Sequence, residues 1–509
     1  MGNPLADLKR IASSSGLYAV GEVLNRGLAF LLLPVYTRYL PQSEYGALDL
    51  FNAFSGVLFA CLLLGMPSAL TKVFHQDCEN DSERSRVLFT ALGLDLPVLL
   101  FGGGILFVFA EPLGRLIIGT DGMGGMVRLV VATAVSASLV AIVLSSFRAR
   151  ERAMAFVVVN LLQFVPAMVL NIVLVVHFEL GMEGVLWGNL ISSVVSLPVG
   201  LWLAGREDVW RFDRRLVEPL VHFGVLLIPV TLASWVIDLS DRYVLRLFED
   251  LETIAIYGVG YKIGMILQMA VVWPFQLAWP AVSFSISKRE GHEASYARVL
   301  TYFVLALVVG VLGLSLASRS GLAFLAGEPY RTAAQVVPWV ALAYLFNGIH
   351  FCLTPGIHIA KKTKVLPLFS GAAAAINLGL NFLLVPRFGV MGAAWSTTVT
   401  FFFLAVATWV LSQRVYPVPH EIGRLVRIAL AAGLVWFVAA RFEPAELVPA
   451  LVWHTLWATV GLLVVLWLMG FVTSDERALL ARLLRWRAGR QGGDGPGESG
   501  PGENGETLP

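Results

Sequence analysis

Charge is what this 509-residue chain has least of: Asp, Glu, Lys and Arg make up 14% of it, against 57% hydrophobic residues and a mean hydropathy of +0.74. A soluble globular domain carries about 25% charged residues, so a soluble enzyme is excluded. Cysteine is nearly absent too. Cys61, Cys78 and Cys352 are scattered, two of them in apolar stretches, a pattern that offers neither a disulfide framework nor a metal site and reads as small buried apolar residues. There is no GxxxxGK[ST] phosphate loop, so ATP hydrolysis by this chain is not expected, and nothing calls for a cofactor. The formal charge of +2 is a sum over two sides of a membrane and gives no reason to expect nucleic acid as a partner.

What the chain has is length of apolar sequence. A membrane-crossing helix needs about 20 mostly apolar residues, and fourteen such segments fall near 13–36, 46–70, 87–110, 127–147, 154–177, 184–204, 219–243, 253–284, 297–317, 333–360, 365–386, 390–412, 427–441 and 447–472. The chain therefore reads as an all-α polytopic membrane protein of about 14 transmembrane helices. The N-terminal stretch, the even-numbered loops and the tail hold 26 of the 37 Lys and Arg residues; the opposite side holds nine. Basic residues in short loops stay cytoplasmic, which places both termini inside. The first segment is interrupted by Glu22 and Arg26 and lacks a small-residue cleavage site, so it is expected to remain as the first helix rather than to be removed as a signal peptide. After Arg490 the sequence turns to Gly, Pro and Glu and reads as a disordered cytoplasmic tail. The basic stretch ahead of it is either a solvated helical extension or a helix lying on the anionic inner leaflet.

The chain repeats itself at an offset of about 210 residues, a period at which a whole bundle recurs. Asn171, Phe178, Gly181, Gly184 and Trp187 return as Asn381, Phe388, Gly389, Gly392 and Trp395, with Glu179 and Leu180 extra in the first copy. Tyr45-Gly46 returns as Tyr257-Gly258. An offset of six helices keeps both copies in one orientation, so the two bundles are expected to be related by an axis along the membrane normal. The expected division is 1–204 for the first six-helix bundle, 205–218 for a cytoplasmic linker and 219–412 for the second bundle. Residues 413–472 would form two extra helices, and 473–509 the basic helix and tail. A cavity between such bundles can open alternately to either side by rocking.

Three stretches carry a family resemblance covering nearly all of the chain: LPVYTRYLPQSEYG at 33–46, SDRYVLRLF at 240–248 followed by IYGVGYKIG at 256–264, and INLGLNFLLVPRFGVMGAAWST at 376–397. They resemble the polysaccharide-transporter branch, with its Wzx-type flippases, of the multidrug/oligosaccharidyl-lipid/polysaccharide exporter superfamily. The resemblance implies the fold of that superfamily. It also implies the flipping of an undecaprenyl-pyrophosphate-linked oligosaccharide to the outer leaflet of a bacterial inner membrane, for surface polysaccharide synthesis alongside glycosyltransferases and a polymerase.

Ionisable residues inside helices cost about 2.5–3.5 kcal/mol on insertion scales and so mark either pathways or pairs. Arg26 and Lys262 form the candidate cationic site for a pyrophosphate, and the resemblance implies cationic cavity residues in the first and eighth helices. Glu22, one turn before Arg26, either neutralises it or holds it until substrate displaces the acid. Lys262 has no acid one turn away in its own helix. Asp238, Asp241 and Arg242 read as a charge pair near the end of the seventh helix, with ion coupling as the other reading, and Asp49 and Asp95 as binders of a proton or Na⁺. Gln163, Gln268, Asn347 and His350 are candidate sugar contacts; His350 and His358 lack a third ligand for a metal. Asn171 and Asn381, being repeat-related, read as packing residues. Tyr261, Trp273 and Trp279 are aromatics that either stack on sugars or anchor helices, and WPFQLAWPA at 273–281 is expected to bend its helix at Pro274 or Pro280. A lipid II flippase, a cation-coupled multidrug antiporter and a membrane-embedded polymerase or glycosyltransferase are the other functions weighed. The enzyme is disfavoured by the lack of a sizeable extramembrane domain.

Overall fold

The computed structural model describes residues 30–288, 290–441, 444 and 446–472. Glu22 and Arg26, most of the first apolar segment, the basic stretch and the Gly/Pro-rich tail lie outside the described residues. No strand occurs among the described residues, as expected where lipid leaves backbone groups no partner but their own helix. The chain enters at α1 (Leu33–Tyr39). The long helices that follow are α2 (Gln42–Leu62), α3 (Asp81–Val108), α4 (Gly124–Ala149), α5 (Ala153–His177), α6 (Gly181–Ala204), α7 (Arg214–Phe248), α8 (Leu251–Ile286), α9 (His292–Leu325) and α10 (Val337–Ile359). Next comes a helical run, Leu366–Val415, broken at Gly389 (φ 51°, ψ −130°) into α11 (366–388) and α12 (390–415). The last two are α13 (Ile422–Ala439) and α14 (Val448–Leu468).

Twelve described helices, counting the run around Gly389 once, are long and apolar enough to cross a membrane. The break falls where the sequence separates the eleventh and twelfth segments. The elements form two bundles: α4 packs on α3, α5 and α6, and α10 on α9, α11 and α12, while α13 and α14 lie against α9. Between the bundles, α2 runs along both α7 and α8.

The repeat explains several close approaches. Gly181 and Gly389 both take positive φ, 57° and 51°, a conformation that costs L-residues and suits glycine. Gly184 faces Leu174, and Gly392 faces Leu384. The spacings differ by two residues, which absorbs the two extra residues of the first copy. Asn171 and Asn381 are fully buried. Asn171 donates to the Tyr36 hydroxyl at 2.9 Å and Asn381 to Asn377 Oδ1 at 3.0 Å. In α8 a π-turn at Gln268–Val272 immediately precedes Trp273-Pro274. Pro274 has no N–H and its ring crowds the carbonyl four residues back, so the helix widens there; Pro280 is accommodated without such a turn.

The Tyr-Gly repeat marks the contact of α2 with α8. A Cβ on Gly46 would overlap the Leu251 carbonyl, and one on Gly258 would lie 2.6 Å from Asp49 Oδ2. Gly46→Leu is therefore expected to part these helices. In a background lacking the exposed Cys61, a cysteine at the buried Ala255 should become reactive to a small thiol reagent. Leu at Gly104, which has open space around it, should leave that cysteine protected.

Candidate functional site

The three helices that meet between the bundles bring five ionisable residues together. Asp49 of α2 is shared by two cations: Arg242 Nε of α7 at 3.0 Å and Lys262 Nζ of α8 at 2.9 Å. The guanidinium also donates from Nη1 to Asp241 at 2.7 Å and to the Asp238 carbonyl at 2.8 Å. Tyr257 donates a short hydrogen bond to the other Asp241 oxygen. The Lys262 ammonium donates to Tyr45 Oη at 2.7 Å and lies 4.6 Å from that ring's centroid, while Arg242 lies 4.3 Å from the Tyr261 ring. Asp49, Asp241 and Arg242 are all under 5% exposed. In so dry a setting the ion pairs and ring contacts replace the water each charge has lost.

Two expectations change in detail. Asp238 and Arg242, four residues apart, meet through the Asp238 carbonyl; the guanidinium's carboxylate partners are Asp241 and Asp49. The reason is packing: α2 lies on this face of α7, so the fork points across the helix interface. Lys262, without an acid one turn away in its own helix, finds one 213 residues away in sequence. Three carboxylates thus meet two cations, and the Asp238 carboxylate has no ion-pair or hydrogen-bond partner among the described residues.

Asp49, Asp238, Arg242 and Lys262 of the cluster line a chamber of about 570 Å³. Its wall includes Asn52, Asp238, Tyr261, Gln268, Trp273, Gln276, Tyr344, Asn347, His350 and Ser370. Asn347 donates to Gln268 at 3.2 Å, His350 Nδ1 lies 2.7 Å from Thr408 Oγ1, and the Tyr344 and Tyr261 hydroxyls are 3.0 Å apart. Gln276 and Phe351 are shared with a second cavity of about 370 Å³ that reaches His358. Four expected contacts therefore part company: Gln268, Asn347 and His350 line the chamber, whereas Gln163 on α5 does not. Trp279 lines that second cavity but is otherwise buried, its Nε1 donating to the Cys352 carbonyl at 2.9 Å and its ring stacked on Phe275. Asp95, on α3, is fully buried and is not among the residues that line the chamber. Among the described residues no group of three His, Cys, Asp or Glu side chains is arranged to hold a metal. Residues that the sequence reading left out are Tyr45, Tyr257, Tyr344 and Asn52. The first two were flagged by the Tyr-Gly repeat, whose tyrosines turn out to be the hydroxyl partners of Lys262 and Asp241.

Outside the membrane helices, the segment after α6 is anchored by Arg150, which pairs with Asp208 at 2.5 Å while Ser146 donates to the same carboxylate at 3.2 Å. Burial pushes the Asp208 carboxyl up from its ordinary value, and Arg150 works against that. Asp213 is held below its ordinary value by the Arg215 backbone N–H and by Arg86. Removing Arg150 leaves Asp208 buried without its cation, a loss of about 3–5 kcal/mol for a buried pair. Arg150→Ala should lower the melting temperature in detergent, and Arg150→Ala with Asp208→Asn should recover most of the loss.

Known proteins bear on this geometry. The family described as "Polysaccharide biosynthesis protein" matches residues 11–287, more than half of the chain. The chain is 19% identical over 393 residues to a probable low-salt glycan biosynthesis flippase, Agl15, of Haloferax volcanii, covering 77% of this chain and 81% of that protein. It is 22% identical over 231 residues to a putative O-antigen transporter of Shigella flexneri, covering 44% and 55%. Its fold is similar to the lipid II flippase MurJ in an inward closed conformation, with TM-score 0.70, 13% identity and coverage of 91% of this chain and 99% of that one. It is also similar to an inward-facing multidrug resistance MATE transporter, with TM-score 0.60, 14% identity and coverage of 76% and 94%. With the family match, the two-bundle all-α fold and the motifs at 33–46, 240–264 and 376–397 in agreement, the chain belongs to the polysaccharide biosynthesis protein family, in the polysaccharide-transporter branch of the multidrug/oligosaccharidyl-lipid/polysaccharide exporter superfamily.

Proposed function

We propose that this protein is a flippase that moves a polyprenyl-pyrophosphate-linked oligosaccharide from the cytoplasmic to the outer leaflet of a bacterial inner membrane, with both of its own termini cytoplasmic. The observation that carries the reading is the chamber within the second bundle, completed by Asp49 and Asn52 of α2: amides, hydroxyls and aromatic faces among apolar side chains, with Arg242 and Lys262 in its wall. Crossing the bilayer requires the charged, hydroxyl-rich headgroup to lose water, and such a wall replaces that water while the polyprenyl tail stays in lipid. The pyrophosphate is taken by Lys262 and Arg242, with Arg26 as a further cation, and competes with Asp49 for them. Gln268, Asn347 and His350 face the sugars. Glycosyltransferases would supply the substrate and a polymerase would consume it outside.

A second reading has an observation of its own. The described residues of the cluster include one more carboxylate than cations, and the wall presents the aromatic rings of Tyr261, Tyr344 and Trp273, as suits a cationic amphiphile. One experiment separates the two: the purified protein in liposomes with a fluorescent undecaprenyl-pyrophosphate oligosaccharide, following label that becomes accessible to an external sugar-modifying enzyme. Protein-dependent exposure supports the flippase; no exposure together with transport of a cationic dye moves the protein to drug export.

A further inference from the structure

Asp95 is a carboxylate that the ion cluster does not use. Between Arg86 and Glu111 it is the sole ionisable residue of the sequence, so it sits near the middle of α3 with apolar helix on both sides. It has no exposed surface, and neither carboxylate oxygen has a hydrogen-bond partner among the described residues. A buried charge without cation or donor is strongly disfavoured, whereas a neutral carboxyl costs far less.

Among the described residues, the elements packed on α3 hold no charge paired with Asp95. On α4 the ionisable residues are Arg128 and Arg148, at its two ends, with none among 129–147. On α2, Asp49 is committed to Arg242 and Lys262, and Glu44 receives the Met182 N–H. In the short helices flanking α3, Lys72 pairs with Asp77 at 2.6 Å, Arg115 with Asp121 at 2.5 Å, and Glu111 accepts from the Gly122 and Gly124 N–H groups. His75 stands beside Asp77 at the end of the first; in the linker, Asp213 pairs with Arg86 at 3.2 Å, Arg211 lines a cavity with Gly93 and Leu96, and Arg214 and Arg215 sit in the turn that follows. On α7, Glu218 and His222 lie near its start, and Asp238, Asp241, Arg242 and Arg246 toward its other end.

A second unpartnered group lies close in depth. Gly103 of α3 faces Val135 and Val131 of α4. Two turns back along α3, Asp95 is therefore within about one turn of Ser138, at about 1.5 Å of rise per residue. The Ser138 hydroxyl is likewise buried without a partner.

We propose that Asp95 is a proton-binding site in the first bundle, separate from the Asp49 cluster, which holds its proton in the conformation described and releases it only when α3 and α4 part far enough for water to enter. The carboxyl O–H bond breaks and the proton leaves to that water; the carboxylate left behind disfavours closure until it is reprotonated. The reach of this site into transport rests on the flippase reading, but the proton site itself does not.

Infrared difference spectroscopy of the full chain in nanodiscs, titrated with acid and base, tests it. A protonated-carboxyl band absent from Asp95→Asn is expected to persist at neutral pH, where an exposed aspartate with its ordinary value of about 3.9 is ionised. Asp95→Asn, neutral and of the same shape, should keep the melting temperature of the parent, and in liposomes it should flip with a flattened pH profile. An ionised Asp95 at neutral pH in the folded protein, or a band removed by Na⁺ at constant pH, would overturn the proposal. Flipping by Asp95→Asn with the parent's pH profile would overturn the coupling. Absence of flipping by the parent, with the band intact, would count against the flippase reading and leave the proton site standing.

Discussion

Lys262→Ala is expected to cut the rate of oligosaccharide flipping by about a hundredfold while the protein still inserts and stays folded. The size follows from what the ammonium does in the proposed cycle. A charge-assisted hydrogen bond to a phosphate oxygen in a water-poor site is worth about 1.5–3 kcal/mol, and about 2.7 kcal/mol is a factor of 100 in rate. Removing Lys262 also leaves Asp49 with Arg242 alone, so a structural loss must be told apart from a transport loss. Asp49→Asn in the Lys262→Ala background does this, because it removes the carboxylate that would otherwise be left partly unpaired. If flipping returns in the double variant, Lys262 serves the fold rather than the substrate. Lys262→Arg, which keeps the charge, should retain part of the activity. Initial rates against substrate concentration, with melting temperature measured on the same preparations, provide both readouts; a parent-like rate in Lys262→Ala would sink the site.

Arg242→Met is expected to be the more damaging change to stability. The guanidinium is 3% exposed and its fork ties Asp49 on α2 to Asp241 on its own helix. Without it, Asp241 keeps only the Tyr257 hydroxyl and the Arg242 backbone N–H, and Asp49 keeps Lys262 and no second cation. Breaking a buried pair costs about 3–5 kcal/mol because the partner's charge stays behind uncompensated. Thermal unfolding in detergent should show a large drop for Arg242→Met. It should recover when Asp241→Asn is added, since the uncompensated charge then disappears. A drop unrelieved by Asp241→Asn would locate the loss in the packing of Arg242 on Tyr261 instead.

Much of this architecture was legible along the chain. Apolar length marked the spans, and Gly389 separates α11 from α12 where two segments had been distinguished. The repeat marked residues whose roles the structure then specified: Gly181 and Gly389 in the left-handed region, Asn171 and Asn381 in buried polar contacts. Of the candidate sugar contacts, Gln268, Asn347 and His350 face one chamber because they lie on the sides of α8 and α10 that face each other. Gln163 is on α5, and no feature of its sequence neighbourhood distinguished a helix that lines the chamber from one that does not. The first helix, with Glu22 and Arg26, lies outside the described residues, so their part in the site stands as a proposal.

The sequence by itself determined that the chain is an all-α membrane protein of many crossings, that it is built from two related halves, and the family it belongs to. These properties are written locally, in runs of about 20 apolar residues and in motifs a few residues wide. Only the tertiary structure decided which charges belong together. The partners of Asp49 come from 193 and 213 residues away, on two other helices, and Asp95 has none among the described residues. Pairing of buried charges depends on distances of a few ångströms across helix interfaces, where water is absent and each unmatched charge is costly. Those distances follow from how glycines such as Gly46 and Gly258 let α2 and α8 approach, which no single helix's sequence contains.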